Sequence, residues 1–202
     1  MPESIAREWT SSMPDVESSE PGLPDIDPNE RILRNLDYGY RWNLDVEHII
    51  ELYQVCRAHP GRTALELGSF RGNGTLALAL AGKEVTSIDI SDEHLETRQA
   101  LLRPHQLPVT FLVESSQDEF RKPETYDIIL HDNTLRGAVM LLELELYWKR
   151  KLNPGGLLMV HNVEKIRLPE LLDRLQPESH IVTADSRRRQ LAYFAKPGEI
   201  LS

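Results

Sequence analysis

The run Ala64-Leu65-Glu66-Leu67-Gly68-Ser69-Phe70-Arg71-Gly72-Asn73-Gly74 decides the architecture. A short apolar stretch broken only by Glu66 ends in a glycine-rich turn, and beyond Gly74 the apolar spacing becomes helical. Glycines at 68, 72 and 74 permit positive φ and close approach of a ligand to the backbone. The helix start beyond them offers free N–H groups. A pyrophosphate-binding turn reads G-x-G-x-x-G at this place; here the pattern is E-x-G-x-x-x-G-x-G. A carboxylate at the strand end repels a pyrophosphate and attracts an ammonium, so the turn suits a ligand with an amino acid moiety. Packing of helix on strand is the alternative use of the same glycines.

Outward from this turn, strand-like runs alternate with amphipathic ones. Strands are expected at 63–67, 84–90, 109–113, 126–131 and 157–162, and helices at 73–81, 92–102, 116–121, 138–152 and 169–175. Two short helices precede Pro60, and runs at 180–184 and 190–195 stand close enough to form an antiparallel hairpin. This alternation predicts an α/β, Rossmann-like, doubly wound sheet of seven strands, mostly parallel with an antiparallel last strand. The second strand ends at Asp89, about twenty residues after the glycines, where a carboxylate can accept both hydroxyls of a ribose. Ser91 or Asp92 suits helix capping better. The third strand leads into Ser116 and Gln117, which suit an adenine edge or a helix cap.

At 202 residues the chain has room for one full-sized core. Its net charge of -9 is concentrated in residues 1–30, which hold eight acidic groups, one basic group and five of the thirteen prolines. Such a segment reads as a flexible arm, with 31–202 as the single folded domain. The near-neutral body lacks the basic footprint of a nucleic-acid binder. One cysteine excludes a disulfide framework and a thiolate zinc cluster. With no secretory h-region and no apolar run of roughly 20 residues, the expectation is cytoplasmic, with no membrane partner.

Five stretches resemble, in order and spacing, a class I S-adenosylmethionine-dependent methyltransferase of the catechol O-methyltransferase-like, small-molecule (sugar and antibiotic) subgroup. They are LELGSFRGNG (65–74), TSIDIS (86–91), VTFLVESSQDEF (109–120), YDIILHDN (126–133) and LNPGGLLMVHNV (152–163). The resemblance implies S-adenosylmethionine as cofactor, contacted by Glu66, Gly68, Ser69, Gly72, Asp89, Ile90, Ser116, Gln117 and Asp132. It implies methyl transfer to a small-molecule acceptor, with a hydroxyl oxygen favoured. Other chemistry on the same scaffold, such as a cyclisation, and a non-catalytic cofactor-binding role are the alternatives. A homodimer is the symmetric default.

Catalytic groups in such a sheet collect at the carboxyl ends of the strands. By the resemblance, Asp132, His161 and Asn162 fall where the catechol-type enzymes bind magnesium, with His161 replacing a carboxylate; magnesium or manganese would then assist. A metal-free alternative makes His161 or His131 the general base, with Asp132 beside it. In a third, these groups only cap strand ends. The family's lysine, three residues after the first metal Asp, is absent: Leu135 stands there. Tyr38, Tyr40, Trp42 and Asn43, beside the N-terminal helices (31–59), form the candidate lid. Arg187-Arg188-Arg189 reads as a solvated hairpin tip, and the apolar helix before strand five as buried on the sheet or at a dimer interface.

Overall fold

Strands that are covered on both faces need apolar side chains in both directions, and the segment after residue 62 supplies them. The computed structural model describes residues 26–39, 44–185 and 188–198. Helices α1 (Pro28–Arg34) and α2 (Val46–Ala58) precede β1 (Thr63–Leu67), α3 (Asn73–Leu80), β2 (Glu84–Asp89), α4 (Leu95–Leu102), β3 (Val109–Val113), α5 (Ser116–Arg121) and β4 (Tyr126–His131). There follow α6 (Gly137–Arg150), β5 (Leu152–His161), α7 (Leu168–Leu175), β6 (Ser179–Ala184) and β7 (Gln190–Ala195). The seven strands lie in the order β3-β2-β1-β4-β5-β7-β6, with β7 antiparallel to both β5 and β6. This is the expected sheet. Among the described residues no helix is long and apolar enough to cross a membrane.

The two faces of the sheet carry separate cores. Ile128 and Leu130 of β4 pack with α1, α2 and α3 through Leu33, Ile49, Leu52 and Leu76. Ile129, of opposite parity, packs with α6 and α7 through Met140, Leu144, Tyr147 and Leu171. The period of two thus decides which layer each strand residue joins.

One boundary departs from expectation. The helix before strand five ends at Arg150, and β5 already starts at Leu152, opposite Tyr126. The register shifts between Tyr126 and Ile128, so Asn153-Pro154-Gly155-Gly156 is a bulge inside the strand and not a turn before it. Asn153 Nδ2 donates to Asp127 Oδ1 at 2.9 Å, and a Cβ on Gly156 would stand 2.8 Å from the Asp127 carbonyl oxygen.

Beneath α5 lies a buried ion cluster. Glu119 accepts from Tyr126 Oη at 2.7 Å, and pairs with Lys122 at 2.9 Å and with the buried Lys151 at 3.7 Å. Lys151 also donates to the carbonyls of Glu119 and Lys122, each at 3.0 Å. Removing one partner strands a buried charge. Glu119→Ala is therefore expected to cost about 3 kcal/mol in urea unfolding; a loss below about 1 kcal/mol would mean the carbonyls alone hold Lys151.

Candidate active site

A cavity of about 840 Å³ opens at the carboxyl ends of β1 to β5, where the strand order reverses between β1 and β4. Its floor is the glycine turn. Gly68 has φ +93°, and a Cβ there would stand 2.5 Å from the Asp132 carbonyl oxygen. Glycine therefore serves both the positive φ and the close approach of β1 to the β4 exit. Gly68 and Ser69 donate their N–H groups to the Ile88 carbonyl at 2.9 and 3.2 Å. Phe70 sits at φ 41°, a costly position for a side-chain-bearing residue, and Asp89 Oδ2 accepts its N–H at 2.8 Å. Gly72 (φ 90°) starts α3.

Arg98, 1% exposed, locks this loop from behind. Its guanidinium donates to Ser69 Oγ at 2.9 Å and lies 3.4 Å from Asp89 Oδ2. Sequence reasoning missed it; the signal is its spacing from Leu95 and Leu102, which places a charge on the inward stripe of α4. Asp89 also accepts Ser91 N–H at 3.1 Å, yet remains on the cavity wall. It braces the loop while keeping lone pairs for hydroxyls.

Glu66 lies beside the cavity, not in it. It is 2% exposed and accepts from Ser87 Oγ at 2.7 Å and from Thr75 Oγ1. Gly74 leaves room for the Glu66 carboxylate, which a Cβ there would meet. Glu66, Ser69, Asn73 and Asp132 line a recess of about 10 Å³, and the buried Asn73 Nδ2 has no hydrogen-bond partner among the described residues. Burial pushes the Glu66 carboxyl up to about 7, against the pull of the Thr75 and Ser87 hydroxyls. The folded chain then holds a proton that the unfolded chain releases near 4.5, so this group's stabilisation falls as pH rises from about 4.5 to about 7. Glu66→Gln is expected to lack that slope and to gain up to about 3 kcal/mol on the wild type between pH 5 and pH 8. Urea unfolding at both pH values checks it; an equal offset at the two would refute it.

The far wall is built by α5 and α6. Ile90, 80% exposed, and Gln117 face the cavity. Ser116 lines it too, but its hydroxyl donates to Glu143 Oε1, and its carbonyl accepts Tyr147 Oη at 2.6 Å. The hydroxyl expected to read an adenine edge is thus already committed, and Ser115, not Ser116, caps α5. Glu143, also missed from sequence, accepts Asn133 Nδ2 at 2.7 Å and lies 2.7 Å from His131 Nε2. Burial raises its carboxyl, but these partners outweigh burial and hold it below the usual range. The helix carrying it is apolar on two sides but buried on only one. Val139 (61% exposed) and Leu142 (53%) line the cavity while Met140 and Leu144 enter the core.

His131 is placed differently: its ring is fully buried on the Glu143 side and is off the cavity wall. His161 points to the opposite face of the sheet. Its Nδ1 is 2.7 Å from Asp132 Oδ1 and 2.9 Å from Asn162 Nδ2, and its Nε2 is buried without a partner among the described residues. The His48 ring lies edge-on at 5.6 Å; burial and then His161 push the His48 pKa down to about 4. Behind it Arg189 pairs with Asp185 and Asp45, each at 2.8 Å. Arg189, expected at a solvated tip, is therefore part of this inner cluster. Tyr40, Trp42 and Asn43 of the candidate lid, Arg187, and residues 1–25 of the N-terminal arm lie outside the described residues. Tyr38 is held in the α1 layer, donating to the Leu33 carbonyl at 2.7 Å.

A family model described as a methyltransferase domain matches residues 65–163, from β1 to the turn after β5 that holds Asn162. Residues 65–163 form a methyltransferase domain. Among solved structures it resembles the O-methyltransferase from Bacillus cereus in complex with SAH, at 15% identity and TM-score 0.61 over 86% of this chain and 93% of that one. It also resembles the O-methyltransferase TomG from Streptomyces achromogenes, involved in tomaymycin synthesis and in complex with SAM, at 15% identity and TM-score 0.63 over 88% and 92%. The T. thermophilus 16S rRNA N2 G1207 methyltransferase is similar at 18% identity and TM-score 0.59, over 85% of this chain and 43% of that one. At these identities the likeness is one of fold. Comparison with curated proteins gives no match.

The methyltransferase cleft suits the methyl donor that the sequence resemblance implies. Bare backbone at Gly68, the orphan Asn73 amide in the recess and the Asp89 carboxylate on the wall match a sulfonium nucleoside with an amino acid tail. A divalent cation fits less well. Magnesium takes a shell of oxygen ligands, and the expected set of Asp132, His161 and Asn162 offers one carboxylate. His161 is off the cavity wall with Nδ1 engaged by Asp132, and Lys165 brings a positive charge within range of the same carboxylate. Among the described residues no three His, Cys, Asp or Glu side chains come together as a metal site. The set does not fit the ion.

Proposed function

We propose that this domain binds S-adenosylmethionine in the cavity and transfers its methyl group to a hydroxyl oxygen of a small-molecule acceptor. The observation that carries the reading is the contact of Gly68 with Asp132, which joins the glycine turn to the one carboxylate at the β4 exit. In this reading Gly68, Ser69, Gly72 and Asn73 surround the amino acid tail, with Glu66 beneath them. Asp89 takes the ribose hydroxyls, while Ile90 and Gln117 flank the base. Bound there, the donor supplies a methyl group already activated on a sulfonium. The chain's own task is alignment and proton removal. Asp132 accepts the hydrogen bond of the acceptor hydroxyl, orients its lone pair and takes its proton as the oxygen is methylated. His161, donating Nδ1–H to Asp132 Oδ1, holds that carboxylate in place. Acidic and near-neutral composition supports a small molecule over a nucleic acid as acceptor.

The test is incubation of the full chain with methyl-labelled S-adenosylmethionine and a panel of hydroxylated small molecules, with and without EDTA. Label on oxygen, retained in EDTA, is the expected result. No binding of the donor at millimolar concentration would sink the proposal, and strong stimulation by Mg²⁺ or Mn²⁺ would restore the metal-assisted route.

A further inference from the structure

We infer that the acceptor carries an acid group, a carboxylate or a phosphate, and that Lys165 and Arg136 hold it at the acceptor end of the cavity. The inference rests on the methyl-transfer reading above. Arg136 stands in the connection from β4 to α6, and Lys165 on the 3-10 turn after β5. These two segments also carry Asp132 and Asn162, and all four side chains line the cavity.

Neither cation has an ion pair or a side-chain hydrogen bond among the described residues, and for Lys165 that is unusual in this protein. Lys165 is half-buried, and the lysines that are as buried or more so are all engaged. Lys83 donates to the His59 and Gly61 carbonyls at 2.7 and 2.6 Å. Lys151 and Lys196 each hold two carbonyls, and Lys122 pairs with Glu114 and Glu119. A partly desolvated ammonium with no partner is unfavourable. Burial lowers its pKa, and the repulsion of Arg136 and Arg189 adds to that against the pull of Glu164 and Asp132. Glu164 and Asp132 are the acids within its range, but Glu164 Oε2 accepts Gln190 N–H at 3.0 Å, Asp132 Oδ1 is turned to His161 at 2.7 Å, and neither pairs with Lys165. An anionic group on the acceptor supplies Lys165 with that partner, and the exposed Arg136 on the same wall can share it. It also fixes orientation: with the acid on Lys165 and Arg136, a hydroxyl elsewhere on the same molecule is left to meet Asp132.

Calorimetry on the full chain tests this, using two acid and neutral pairs. The probes are 3,4-dihydroxybenzoate against 3,4-dihydroxybenzamide, and glucose 6-phosphate against glucose. S-adenosylhomocysteine is titrated first, so failure of the donor site appears separately as absence of that heat. On the loaded protein, the acid of at least one pair is expected to bind about tenfold or more tighter than its neutral partner. Lys165→Met is expected to bring the two within about twofold, and Arg136→Gln to halve the preference or more. Equal binding of acid and neutral forms, no millimolar binding of either acid, or an unchanged preference in Lys165→Met would each overturn the inference. Both substitutions lie outside the core, and thermal unfolding confirms that the variants fold.

Discussion

Gly68→Ala is expected to weaken S-adenosylhomocysteine binding at least about a hundredfold, or about 3 kcal/mol. Two costs add. An L-residue at φ +93° carries a strain of roughly 1–2 kcal/mol. The new Cβ would also stand 2.5 Å from the Asp132 carbonyl oxygen, with Asn133 Cα 3.0 Å away. Those neighbours are backbone, and they cannot rotate aside as a side chain would. Relief requires β1 and the β4 exit to part, and that opens the junction between donor and acceptor subsites. Gly82→Ala is the control: φ is +83°, but nothing lies within 4 Å of its Cβ, so only the conformational strain remains. Calorimetry and thermal unfolding of the two variants separate the terms. Affinity in Gly68→Ala within threefold of the wild type, roughly 0.6 kcal/mol, would mean the loop relaxes and the contact is incidental.

That junction was half legible in the sequence. The glycine turn, Asp89, and the order of strands and helices are local patterns, readable because the central strands are apolar on both sides and each is bounded by turn residues. The reversed β7 follows from a hairpin too short for a crossover. What stayed hidden is what crosses between elements. Arg98 acts on a loop 28 residues earlier in the chain, and Glu143 gathers Ser116, His131 and Asn133 from two other segments. No local period encodes such partners. The two histidines are an intermediate case. His131 shares its parity, and so its sheet face, with Ile129, which packs against α6. His161 has the opposite parity to Val160 of that same core. Parity alone separates them, so the sheet face that His131 takes was already present in the alternation of β4.

Asp132→Ala is expected to lower single-turnover methyl transfer by about a thousandfold while S-adenosylhomocysteine affinity stays within about tenfold. The separation follows from which part of Asp132 serves which subsite. Its backbone carbonyl meets Gly68, and its N–H donates to the Leu67 carbonyl at 2.9 Å; the substitution leaves both in place, so the donor cleft keeps its shape. The side chain alone faces the acceptor and holds His161 Nδ1 at 2.7 Å. Removing it takes away the proton acceptor and frees an imidazole that is 1% exposed and faces the equally buried His48. That imidazole is off the cavity wall, and it is not expected to substitute as the base. Rapid-quench measurement with labelled donor gives the chemical step, and calorimetry gives the affinity. A fall in both by the same factor would place Asp132 in donor binding and not in catalysis. Full activity in Asp132→Ala would remove the carboxylate from the reaction.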